Sequence, residues 1–299
     1  MGNGELKFII PMHDIDVEKK YIVGKLTNGK HLGDYPKPTD YAVLNGLKTN
    51  IIPNQLIYSE YWLAYEKEVY ESPRERDDPP DYYIQETSSY GALPNDKSVG
   101  IKPVIKYSDI KRLCEIKDTY IYPIFYNRDE EYLFVEFGEY PQNIIDNNLS
   151  NLLTQLYQEN KLIQTGNVFS RDIGNPNDGM KCLKEEVYEF NGEKYVRALN
   201  LNPEGILSNG HKAGNKEYYW VKVEPVIWFV DKKENLAITD KIIIGGVAYN
   251  SYETCLYEET YACKFIDEYF SKELTQNIKT NELTNNLKPV QKVKVKRIQ

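Results

Sequence analysis

Apolar and polar residues alternate along several stretches of the chain, and a period of two predicts half-buried strands. Residues 186–190 and 193–198 flank Asn191-Gly192. Asn-Gly tolerates positive φ at both central turn positions, so this pair is the strongest hairpin signal in the sequence. The first 60 residues read as strands and turns. Thr27-Asn28-Gly29-Lys30 predicts a second hairpin, and Tyr41-Ala42-Val43-Leu44 is a short apolar run before another Asn-Gly. Further strands are expected at 82–85, 101–105, 132–137, 236–238 and 242–244, with 218–231 a long strand region broken at Pro225. The strand at 132–137 is expected to end at Gly138, and 166–179 reads as loop.

A second period marks helices. Leu149, Leu152, Leu153, Leu156 and Tyr157 recur at i, i+3, i+4, i+7 and i+8, one face of a helix. Ala262, Phe265, Ile266, Tyr269, Phe270 and Leu274 form another such face. Ser108 is placed to cap a short helix through Cys114. Two or three amphipathic helices among many antiparallel strands predict an α+β fold.

Interruptions divide the chain. Residues 71–81 hold three prolines and no core-forming side chain, so the surrounding segment 66–97 reads as an exposed loop. The expected organisation is an N-terminal segment 1–125 carrying that loop, a strand-rich segment 126–280 with two helices, and a basic tail 281–299. Lys288, Lys292, Lys294, Lys296 and Arg297 in the tail read as solvated charge or a charged edge strand before they read as a contact arm. No repeat of solenoid period is present.

Composition narrows the classes. Twenty-six tyrosines stand against 9 Phe and 3 Trp, and Tyr suits both strand faces and contact surfaces because its ring buries while its hydroxyl stays wet. A net charge of −8 argues against a general nucleic-acid binder, which needs a basic footprint. Nucleic acid would be met only indirectly, through a partner. The four cysteines form no C-x-x-C pair, and the eight-residue spacing of Cys255 and Cys263 fits no common zinc pattern. No apolar run of membrane-spanning length and no cleavage signature is seen, so a cytoplasmic protein with reduced thiols is expected.

Two groups of segments carry a family likeness. The first is 39–46, then Tyr61-Trp62-Leu63, then Gly100-Ile101-Lys102-Pro103-Val104-Ile105. The second runs from Phe137-Gly138-Glu139-Tyr140-Pro141 through 188–197 and 219–230 to Leu236-Ala237-Ile238. Together they resemble uncharacterised bacterial and prophage proteins with C-type-lectin-like segments, the scaffold of formylglycine-generating-enzyme relatives and of variable phage binding proteins. Lys102 stands where that pattern more often has Arg. The resemblance implies an aromatic strand carrying variable surface loops. It does not bring the family's chemistry with it. Glu224-Pro225 is followed by Val226, which offers no calcium ligand, and residues 39–108 contain no cysteine for an oxidase.

Other chemistry is equally thin. Neither a P-loop nor a nucleophile elbow occurs. His13-Asp14-Ile15-Asp16 reads as a polar turn before it reads as a metal clip. The expected function is therefore a non-enzymatic protein-binding module with no cofactor and no metal, in its narrower form a phage-encoded inhibitor of a host defence protein. A divergent enzyme of the same scaffold and a structural piece of a phage or bacterial assembly are the alternatives. The expected contact residues are Tyr61, Trp62, Tyr65, Arg74, Arg76, Tyr82 and Tyr83, since Tyr, Trp and Arg dominate binding hot spots. Trp62 is also a candidate for the core, as most aromatic stripes are.

Overall fold

The computed structural model describes residues 8–9, 37–52, 56–59, 61–62, 95–113, 118–119, 133–231, 235–251 and 259–278. The expected hairpin at 27–30, the polar turn at 13–16, the strand at 82–85, nearly all of the loop 66–97 and the basic tail lie outside these residues.

The strands, in chain order, are β1 (Phe8–Ile9), β2 (Asn50–Ile52), β3 (Leu56–Tyr58), β4 (Val104–Lys106), β5 (Asp118–Thr119), β6 (Leu133–Ile144), β7 (Ile163–Asp172), β8 (Cys182–Phe190), β9 (Glu193–Leu199), β10 (Tyr218–Asp231) and β11 (Leu236–Thr239). Nine of them form one antiparallel sheet, and β2 pairs β3 separately. β10 is the spine. One edge of it pairs β6, and its other edge is shared by β9 at 218–222 and β11 at 228–231. From β9 the sheet continues through β8 to β7, and from β11 through β4 to β1. Strands from both sides of residue 125 therefore share one sheet.

β10 is predicted as broken at Pro225, but it runs through. Its core face changes step there: Tyr219, Val221 and Val223 point to the main core before Pro225, and Val226, Trp228 and Val230 after it. The register shifts against β6 between Pro225 and Ile227, as a β-bulge does. The Gln142 side chain crosses to this point and donates to the carbonyls of Glu224 and Pro225 at 3.2 and 2.8 Å. β6 likewise does not stop at Gly138. That residue holds φ +72°, and the strand carries on to Tyr140, whose ring is 2% exposed. The first half of the segment read as loop, 166–172, belongs to strand β7, which passes through Gly166 at φ +84°, while 173–179 is irregular as expected. In all three places a bulge or a glycine absorbs what the alternation pattern alone takes for an end.

The helices are α1 (Asp40–Leu44), α2 (Tyr107–Leu113), α3 (Asn147–Gln158) and α4, which spans 261–274 as α-helix, a π turn at Ile266–Phe270 and α-helix again. α1 corrects the reading of Tyr41–Leu44 as strand. Thr39 caps it by accepting from the Ala42 N–H, so the local cap outweighs the apolar run. The buried Asp40 carboxylate then accepts from the Ile144 and Ser208 N–H groups at 2.9 and 2.6 Å and from the Ser208 hydroxyl, tying α1 to β6 and to the 200s loop. α1 and α4 cover the main core on one side of the sheet, against Val135, Phe137, Tyr140, Phe169 and Trp228. α3 covers part of the opposite face, over Tyr188, Tyr195 and Trp220. No helix of the described residues is long and apolar enough to cross a membrane.

Candidate functional site

Two of the seven expected contact residues are described, and both belong to the core. Tyr61 is 2% exposed and Trp62 is fully buried. Trp62 donates its backbone N–H to Gly100 and its indole N–H to the Val247 carbonyl, and its ring meets Tyr249 edge-on at 5.7 Å. Tyr61 bridges Gly100 and packs with Ala42, Leu47 and Ile242. For Tyr61 this corrects the expectation of a partner contact, and Trp62 takes the core place that was its other reading: the bridge to Gly100 draws both under the fold. Tyr65, Arg74, Arg76, Tyr82 and Tyr83 lie outside the described residues. At the loop's far end, Lys97 is tied down, with its ammonium 2.8 Å from the Asp172 carboxylate and from the Gly174 carbonyl.

A different surface of the same chemical kind is described at the C-terminal end of α3. Asp146 starts this helix by accepting from the Asn148 and Leu149 N–H groups. The helix ends at Gln158, and Asn160 turns the chain away with φ 53°. While it lasts, α3 buries Leu153 on the sheet, and Thr154 accepts from the Trp220 indole N–H at 3.1 Å. Tyr157, Tyr188 and Trp220 pack edge-to-face with centroids 5.6 to 6.0 Å apart, a geometry that adds to simple area burial.

Beyond α3 the same sheet face is open. Arg197 sits directly across from Trp220, and Leu199 directly across from Tyr218. The Arg197 guanidinium lies 3.8 Å from the Tyr218 ring centroid and 4.8 Å from that of Tyr157. Tyr218 is 52% exposed. Glu186 shares this face of β8, and its carboxylate accepts from the Tyr188 hydroxyl and the Gln164 amide, each at 2.7 Å. Burial and that carboxylate push the Tyr188 hydroxyl up to about 12. Arg197 makes no ion pair with a described residue. Sequence reasoning passed over it, although Tyr195-Val196-Arg197 places Tyr and Arg on one strand face.

Two other polar clusters serve different ends. The buried pair Arg171 and Glu185 lies under α1, where Arg171 also donates to the Leu44 carbonyl and Glu185 accepts from the Leu199 N–H. Tyr41 and Tyr140 stand nearby, and burial raises both hydroxyls well above their ordinary value. Sealed beneath a helix, this cluster joins segments. The second cluster adjoins a surface cleft of about 220 Å³ lined by Met180, Tyr261, Lys264 and Glu268 among others. There the Tyr261 hydroxyl donates to Asp172 at 2.9 Å. Across β7 and β8 from Asp172, burial pushes the Cys182 thiol up to about 11, the direction opposite to an activated nucleophile. Among the described residues no three His, Cys, Asp or Glu converge to hold a metal ion.

Fold and site together define a strand-rich α+β protein with a mostly antiparallel sheet, few helices and an open aromatic-arginine face. No family model, curated protein or solved structure matches the chain.

Proposed function

We propose that this chain is a protein-binding module that meets its partner on the sheet face beyond α3, with Tyr218 and Arg197 at the centre. The observation that carries the reading is the exposed Tyr218 ring stacked on Arg197, on strands β9 and β10 paired antiparallel from Leu199–Tyr218 to Tyr195–Lys222. Tyr and Arg are the side chains that concentrate binding energy, because they bring large contact area with few rotamers to freeze. A C-type-lectin-like scaffold is part of the proposal. It is supported by the aromatic pair Tyr61-Trp62 lying against the Gly100-Ile101-Lys102-Pro103 stretch. The narrower reading, an inhibitor of a host defence protein, draws its support from the acidic balance of −8 alone.

The test replaces Tyr218 with a photo-reactive phenylalanine analogue in cells of the native host. The same label at Lys272, exposed on α4 across the sheet, is the control. One dominant cross-linked protein at 218 that is missing at 272 is expected. Identical patterns at the two positions, or none at either, would overturn the reading.

A further inference from the structure

The Arg197 guanidinium is turned toward two ring faces, those of Tyr218 at 3.8 Å and Tyr157 at 4.8 Å. Ring faces attract a cation but accept no ordinary hydrogen bond, so neither ring uses the planar N–H donors of Arg197. Arg171, by contrast, is buried and spends its charge on Glu185. The exposed lysines Lys161 and Lys212 likewise hold acidic partners, Glu159 and Glu204. Arg197 is thus an oriented cation on an open face with no acid paired to it among the described residues.

We propose that Arg197 anchors one carboxylate, the side chain of an Asp or Glu on the partner protein; this rests on the binding-module reading above. A carboxylate matches the fork of a guanidinium with two parallel hydrogen bonds. The stacking rings fix the plane in advance, so less rotamer freedom is lost on binding. Local charge selects a monoanion. Glu186 sits on the same face and its carboxylate is committed to Tyr188 and Gln164, and it repels a phosphate dianion about twice as strongly as a single carboxylate. A nucleic-acid strand needs several cations in a row; besides Arg197 this face carries Lys184 and Lys222, and Lys222 is paired with Glu193. The overall charge of −8 does not forbid the contact, because at physiological salt charges beyond about 8 Å are largely screened.

The experiment follows the Arg197 side-chain Nε–Hε signal by NMR in the intact chain, assigned by its loss in Arg197→Lys. The probes are N-acetyl-glutamate N-methylamide, its glutamine counterpart and methyl phosphate. The glutamate probe should shift the signal saturably, with a dissociation constant on the order of 10 mM. The glutamine probe should bind at least about tenfold more weakly, since it lacks the charge-assisted pair. Tyr218→Leu should weaken the glutamate probe several-fold while leaving the core amide signals in place, which separates lost stacking from lost fold. Equal shifts from the glutamate and glutamine probes, tighter binding of methyl phosphate, or no shift from any probe would each overturn the inference. Cross-linking at 218 that persists with full affinity in Arg197→Lys would overturn it too, and would leave the module reading standing.

Discussion

Replacing Arg171 with Met removes one member of a buried ion pair and leaves its shape nearly filled. Arg171 is 1% exposed and Glu185 is 6% exposed. In the variant Glu185 keeps the Leu199 N–H but loses its cation, and the Leu44 carbonyl loses a donor. Stranding one charge of such a pair costs about 3 to 5 kcal/mol. At roughly 2 to 4 °C per kcal/mol for a chain somewhat smaller than this one, the melting temperature should fall on the order of 10 °C. The cost should also depend on pH. Burial already raises the Glu185 carboxyl above its ordinary value, and Arg171 pulls it back without reversing the shift. Without Arg171 the folded-state value climbs further. A group whose folded pKa is raised contributes stability that is present below the unfolded value and lost as pH rises through the folded one. The variant should therefore be penalised less at pH 5 than at pH 8. Urea denaturation followed by tryptophan fluorescence reads both numbers, with Trp62 and Trp228 buried as reporters. The double variant Arg171→Met, Glu185→Leu should recover at least about 2 kcal/mol of the loss, because it removes the stranded charge along with its partner. The reasoning is refuted if the single variant lies within about 1 kcal/mol of the parent at both pH values, or if the double variant is the worse of the two.

Two further outcomes are expected. Burial raises the Glu273 carboxyl, and the Ser170 N–H that it accepts at 2.8 Å only partly offsets this. The folded state thus holds the proton to higher pH than the unfolded chain. That contribution is present below the unfolded carboxyl range near 4.3 and fades as pH rises through the folded value. Glu273→Gln keeps an acceptor for Ser170 and has nothing to ionise. Its urea midpoint should gain on the parent's as pH goes from 5 to 8, and a constant difference would contradict the assignment. The Cys182 thiol, pushed up by burial to about 11 from an ordinary 9.0, should carry roughly 100-fold less thiolate at pH 8 than an unperturbed thiol. Peptide-mapped iodoacetamide labelling should find it correspondingly slow, and labelling as fast as that of free N-acetylcysteine would rule this out.

The elements legible in the sequence are those with local causes. The α3 stripe from Leu149 to Tyr157 and the hairpin at Asn191-Gly192 needed no long-range contact to be read. Both turn residues of the hairpin indeed take positive φ, 52° and 78°. Leu236–Thr239 and the apolar stripe of 261–274 fall where the two periods put them. The misread segments are those in which pattern and chain end part company. Gly166, Gly138 and Pro225 are breakers by local rule, yet each sits inside a strand: Gly166 and Gly138 fall in register shifts that the pairing resumes beyond, and Pro225 pairs Glu139 beside one of them. α1 carried its own signal in Thr39, a capping residue directly before the run, and the apolar pattern obscured it.

Which aromatic rings meet solvent is a different kind of question, and alternation cannot answer it. Tyr195 and Arg197 alternate onto one face of β9, and Tyr218 and Trp220 onto the same face of β10. By period alone all four are equivalent. Yet Tyr195 is 5% and Trp220 2% exposed, while Tyr218 is 52% exposed. What separates them is the reach of α3. The helix is anchored at Asp146 and turned off at Asn160, so it covers the sheet only as far as Tyr157. One more turn would lengthen it by about 5.4 Å past Tyr157, whose ring already meets the Arg197 guanidinium at 4.8 Å. The proposed contact surface is therefore set by where a helix stops, and the left-handed residue that stops it lies more than thirty positions from the arginine it leaves uncovered.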